Sequence, residues 1–119
     1  MKKTVVLGAS KNPDRYSNKA VRALVKAGVD TSAVGMHEGV IEGVAITKDF
    51  SGLENIDTVS LYLGPQNQEV WIDSLLALKP KRVIFNPGTE SEKTESTLSK
   101  QGIKCEHACT LVLLATHQY

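Results

Sequence analysis

The sequence predicts a doubly wound α/β domain: a parallel sheet of five strands in the order 3-2-1-4-5, with helices on both faces. Three observations predict it. Short apolar runs alternate with stretches of helical periodicity from one end of the chain to the other. Most of those runs are apolar throughout, as strands covered on both faces are. The first, Thr4-Val5-Val6-Leu7, breaks at Gly8-Ala9-Ser10, and a helical pattern starts at Ser17. That strand, tight turn and helix form the opening unit of nucleotide-binding α/β domains.

The elements follow in order. Ala20, Val21, Leu24, Val25 and Gly28 make one apolar stripe, so the first helix spans Ser17 to Ala27, with Ser17 as N-cap and Gly28 as its left-handed end. Thr31–Met36 reads as the second strand. Residues 40–57 are less regular and read as a small turn with a short extended piece. Thr58–Leu63 is the third strand, closed by Gly64-Pro65. A helix from Gln66 to Leu78 carries Val70, Trp71, Leu75, Leu76 and Leu78 in register and stops at Pro80. Arg82–Phe85 is the fourth strand, followed by the turn Asn86-Pro87-Gly88-Thr89. A polar helix over Glu90–Gln101 leads to a fifth strand at Ile103–Glu106. The run Thr110–Ala115 is too apolar for water and packs as a short helix.

With 119 residues the chain is one domain, large enough to bury a core. Its 14 Lys and Arg residues are scattered and the net charge is +1, which argues against nucleic acid as a partner. No apolar run approaches the length of a bilayer span or a signal peptide, so the expectation is a cytoplasmic protein away from membranes. Cys105 and Cys109, spaced C-x-x-x-C, are too few for a disulfide scaffold and do not form a metal motif.

In such sheets ligands bind beyond the carboxyl ends of the strands, where strand order reverses. The residues expected there are Gly8, Ala9, Ser10, Lys11 and Arg15, then His37 and Glu38, then Gly64, Pro65 and Gln66. Asn86, Pro87, Gly88 and Thr89 follow, with His107 and Cys109 last. Gly8 allows a sharp turn and close approach, and free amides in the turn and at the helix start face an anion. Lys11, Arg15 and His37 suit a phosphate-bearing molecule. Glu38 is the one carboxylate placed to hold a ribose as in an NAD site. No catalytic triad is readable. Glu38 and Glu90 are the only acids at adjacent strand ends, and Cys109 is a candidate thiolate or a small packing residue. Tyr62 and Trp71 read as core or interface residues.

The pattern Val6-Leu7-Gly8-Ala9-Ser10, Asn12-Pro13, Arg15 and Ser17, with a helix ending at Gly28, resembles the small stand-alone CoA-binding proteins. These are similar to the N-terminal domain of the succinyl-CoA synthetase α subunit. Ile41-Glu42-Gly43, Asn86-Pro87-Gly88-Thr89-Glu90 and His107-Ala108-Cys109-Thr110 match further positions of that family. The resemblance implies a Rossmann-like domain holding coenzyme A, with the diphosphate on the Gly8–Ser10 turn and the adenosine near the second and third strand ends. It makes Gly8, Ala9, Ser10, Arg15 and Ser17 phosphate-side positions. Lys11, His37, Gly64, Asn86, Pro87 and Gly88 complete the expected ligand set. The chain departs from the family at Gly35-Met36-His37-Glu38, where a Pro-Val-Asn-Pro type of segment is common, and it lacks the synthetases' phosphohistidine domain. The leading reading is a module that binds CoA or an acyl-CoA without catalysis of its own, as a homodimer or beside a partner enzyme. The alternatives are a minimal NAD(P)- or Cys109-dependent oxidoreductase and a ligand-free interaction domain.

Overall fold

A computed structural model describes residues 2–119. Its centre is β1, Thr4–Leu7, every residue of which is buried. On one side β1 pairs in parallel with β2, Thr31–Val34, and on the other with β5, Thr58–Leu61. Beyond β5 lie β6, Arg82–Phe85, and β7, Lys104–His107, both parallel. Beyond β2 lies β4, Val44–Thr47, also parallel, and at the edge β3, Gly39–Ile41, runs antiparallel to it.

The sheet therefore has seven strands in the order β3-β4-β2-β1-β5-β6-β7, and not five in the order 3-2-1-4-5. The strand at Thr58 pairs with β1 instead of standing outside β2. Its expected place is taken by the β3–β4 hairpin, which lies within the stretch read as irregular. The hairpin closes on Glu42 and Gly43 with φ of 48° and 80°. Positive φ at both central residues is the two-residue turn whose twist matches paired strands. Counting the parallel strands alone, the order is 3-2-1-4-5-6, that of doubly wound sheets with a crevice beside the first strand.

Alternation along the strands sends side chains into two cores. Val5, Leu7, Val59, Leu61, Val83 and Phe85 face one side, where they meet Leu75 of α2 (Ile72–Leu78) and Leu98 of α3 (Glu92–Lys100). Val6, Ala33 and Ile46 face the other, against Val21 and Leu24 of α1 (Tyr16–Lys26) and Leu114 of α4 (Thr110–Ala115). Each fully buried Val, Leu or Phe contributes about 1.5–3 kcal/mol through area removed from water.

Two helix expectations shift. α1 begins one residue early, so Arg15 is its N-cap and Ser17 is buried inside the first turn. The helix expected from Gln66 is instead two 3-10 turns, Pro65–Asn67 and Glu69–Trp71, before α2 starts at Ile72. Val70, expected on the apolar face, is 82% exposed, while Gln68 between the two turns is buried.

Candidate functional site

The turn after β1 is built by a single carbonyl. Val34 O accepts from both the Gly8 amide (2.9 Å) and the Ala9 amide (3.0 Å). Gly8 sits at φ +96°, and a Cβ there would lie 3.0 Å from the Tyr62 carbonyl carbon. Gly35, the residue after Val34 at the end of β2, is needed for a different reason. A Cβ on it would come within 2.2 Å of Ala9 O, so only glycine lets the two strand ends close up.

The Gly8 and Ala9 amides are therefore spent inside the protein, contrary to the expectation that they face an anion. The donors without a partner among the described residues stand further along, at the amides of Ser10, Lys11, Tyr16, Ser17 and Asn18. The last three are the orphan N–H groups of the first turn of α1, where the helix dipole also favours negative charge.

Residues 10–15 form a loop held down by α1. Asn18 Nδ2 donates to Ser10 O (3.0 Å), and Asn18 Oδ1 accepts from Arg22 Nε (2.8 Å). The same guanidinium donates to Pro13 O (3.1 Å). Ser10 Oγ accepts from the Asn12 amide and Asn12 Oδ1 from the Asp14 amide. Lys11 and Arg15 are exposed on this loop and form no ion pair among the described residues, so both charges are available to a ligand.

A cleft of about 1230 Å³ opens at the carboxyl ends of β1, β2, β5 and β6. Gly8, Ala9, Ser10, Lys11, Arg15, Ser17, His37, Gly64, Pro87 and Gly88 all line it, so the structure brings these expected residues together. Tyr16 and Met36, largely exposed, add apolar surface. Glu38 is not among the lining residues, and Glu90 folds back to accept from the Gly88 amide (2.8 Å). His107 points away, its Nε2 2.6 Å from Glu95 Oε1 and its ring against Phe85.

Asn86, expected in the ligand set, lies beneath the cleft and fully buried. Its Nδ2 donates to Ser60 Oγ (3.0 Å) and Leu61 O (2.9 Å), and its Oδ1 accepts from the Thr110 amide (2.8 Å). Every polar atom of that carboxamide is aimed into the fold, joining β5, β6 and the start of α4.

Cys109 and Tyr62 share the cleft lining. The Tyr62 hydroxyl is buried without a hydrogen-bond partner, because the nearby Ser60 and Thr110 hydroxyls bond each other at 2.7 Å. Burial, reinforced by the adjacent Cys109, pushes the Tyr62 pKa up to about 12. Cys105 belongs to the opposite side of the sheet, beside α3, where burial raises its thiol pKa. No group of three or more His, Cys, Asp or Glu that could hold a metal ion exists among the described residues.

Solved structures resemble most or all of the chain. A crystal structure of an uncharacterized protein is 44% identical, with a TM-score of 0.96, covering 100% of this chain and 98% of that one. A conserved hypothetical protein from Pyrococcus furiosus is 26% identical over 94% of this chain and 98% of that one, with a TM-score of 0.84. The dinucleotide-forming acetyl-coenzyme A synthetase 1 of Ca. Korarchaeum cryptofilum shares the fold at 15% identity and a TM-score of 0.71, over 87% of this chain and 25% of that one. No curated protein matches. The family model described as a CoA binding domain matches residues 2–115, and the chain belongs to that family.

Proposed function

We propose that the protein binds coenzyme A or an acyl-CoA in the cleft at the end of β1, and that it acts as a binding module without catalysis of its own. Membership of the CoA binding domain family supports the choice of ligand. The observation that carries the site is the convergence of unpartnered amides at Ser10, Lys11 and the start of α1 with the free cations Lys11 and Arg15. Amides and fixed cations together are how a protein holds a diphosphate.

In this reading the diphosphate lies over residues 10–17, displaced toward the helix from Gly8 itself. The adenosine lies toward Met36 and His37 at the end of β2, and the pantetheine toward Gly64 and Pro87–Thr89 at the ends of β5 and β6. Gly35 serves the site by letting β1 and β2 end close together, and Gly8 by letting the end of β1 lie against Tyr62 and Leu63 after β5. Cys109 on the cleft wall is the one observation favouring thiol chemistry with the ligand.

Native mass spectrometry of the protein purified without added ligand tests the proposal. A retained mass equal to CoA or an acyl-CoA is expected, removable by dialysis and restored by adding CoA. Retention of NAD, or failure of CoA to bind at about millimolar concentration, overturns it.

A further inference from the structure

The geometry points to Gln68 as a positioning residue that holds the far wall of the cleft, a role separate from any group that touches the ligand. Its Nε2 donates to Leu63 O (2.9 Å) and to Thr89 O (2.6 Å). Leu63 belongs to the segment after β5 and Thr89 to the segment after β6, and both line the cleft. One carboxamide thus ties together two walls that no backbone hydrogen bond joins at this point.

Several observations make this more than an incidental contact. Gln68 is only 1% exposed, a rare placement for a long polar side chain. It stands between two 3-10 turns, where a regular helix was expected from the apolar pattern. Both partners of its nitrogen are carbonyls, which fixes the orientation of the amide, since only the NH₂ side can donate. Its Oε1 is buried without a partner. The residue thus keeps an unsatisfied acceptor while both donors bridge the two segments, and an apolar side chain of the same length would fill the space without making the bridge.

This inference rests on the proposed placement of CoA, with pantetheine along the Gly64 and Pro87–Thr89 side. It predicts that Gln68 acts on one half of the ligand. Loosening the bridge lets the two segments separate, which weakens contacts to the pantetheine and leaves the phosphate end at residues 10–17 in place.

The experiment uses Gln68→Met, close in shape but without a donor, and Gln68→Asn, which keeps the amide but is one methylene too short to span both carbonyls. Hydrogen exchange on the ligand-free proteins should show faster exchange in residues 61–67 and 86–90 and unchanged exchange in residues 8–18. Calorimetric titration should then show CoA binding weakened about tenfold or more, with the 3′-phospho-ADP fragment within about twofold of wild type. Asn keeping a folded protein covers the case in which Met does not fold. Unchanged exchange in residues 61–67 and 86–90 of a folded variant overturns the bridge itself, whatever the ligand does. An equal loss for CoA and the fragment, or no loss of either, overturns the positioning role. Wild-type protein that binds neither ligand overturns the CoA reading and with it the link to ligand binding, while the exchange result still decides the bridge.

Discussion

Gly8 shows how much of this site depends on a single backbone conformation. Its φ of +96° strains any β-branched residue, and a Cβ there would crowd the neighbouring Tyr62 carbonyl carbon at 3.0 Å. Gly8→Val should therefore lose about 2–4 kcal/mol of stability, from strain and overpacking together. It should also lose CoA binding, because the displaced turn carries Ser10 and Lys11 with it. Thermal unfolding followed by circular dichroism reads the first effect and calorimetric titration the second; a folded variant with wild-type affinity would place the phosphates elsewhere. Tyr62 gives a prediction in pH. A phenol whose pKa is raised on folding, here from 10.0 to about 12, stabilises the fold fully below its unfolded value. That contribution is lost as pH climbs from about 10 toward 12, because the unfolded phenol ionises first. Tyr62→Phe should change stability by less than about 1 kcal/mol at neutral pH, since the hydroxyl has no partner to lose. It should make the alkaline decline shallower without abolishing it, because Cys105 and Tyr119 are raised as well. Urea midpoints at neutral and alkaline pH decide this, and parallel declines in the two proteins would refute it.

At the scale of elements, the bracket around Asn86 replaces a covalent tie between β5, β6 and α4. Asn86→Ala strands the Thr110 amide and the Leu61 carbonyl in the interior and should cost about 2–4 kcal/mol, where Asn12→Ala in the exposed loop costs about 1 or less. Equal denaturation midpoints for the two variants would show that the buried bracket carries no special weight. Much of this level was legible in the sequence. β1, β2, β5, β6, α1 and α4 coincide with apolar runs or helical stripes, because burial dictates both, and α3 and β7 fall on the polar helix and the short strand expected after the Asn86 turn. The cleft lining was legible for the same reason: apolar runs stop where the sheet ends, and small or polar residues mark the rim. What escaped was set by distant partners. The β3–β4 hairpin has strands of three and four residues, too short for a period to show, and its pairing with β2 displaced the assumed strand order. Asn86 carries the same turn signal whether it faces in or out, and only its hydrogen bonds to Ser60 and Thr110 decide. Gln68 carries no local signal, since nothing beside it in the sequence reveals the carbonyls it reaches. For the clamp on residues 10–15, the spacing of Asn18 and Arg22, one helical turn apart just after the Pro13 loop, is the one local signal.

The whole molecule sets the discrimination between ligands, because charge and strand order together decide what each end of the cleft can accept. An NAD site of this architecture places a carboxylate after the second strand to take both ribose hydroxyls. Here the acid nearest that position, Glu38, is exposed and stands off the cleft lining, while His37 lies on it. The opposite side of the turn presents Lys11 and Arg15, which suit a ligand rich in phosphate. CoA carries a 3′-phosphate in addition to its diphosphate, and NAD lacks it, so the same cleft should favour CoA. The preference that the proposed function implies has a thermodynamic size. A ligand at about 100 times its dissociation constant stabilises the native state by roughly 2.7 kcal/mol. For a domain of this length that corresponds to a rise in melting temperature of roughly 10 °C. CoA should produce such a shift at concentrations where NAD and FAD produce a far smaller one, and the difference should shrink as salt is raised, because exposed Lys11 and Arg15 are screened. Differential scanning calorimetry with the three ligands at equal concentration measures this directly. A shift with NAD as large as that with CoA would mean that the phosphate-rich side of the cleft does not select the ligand.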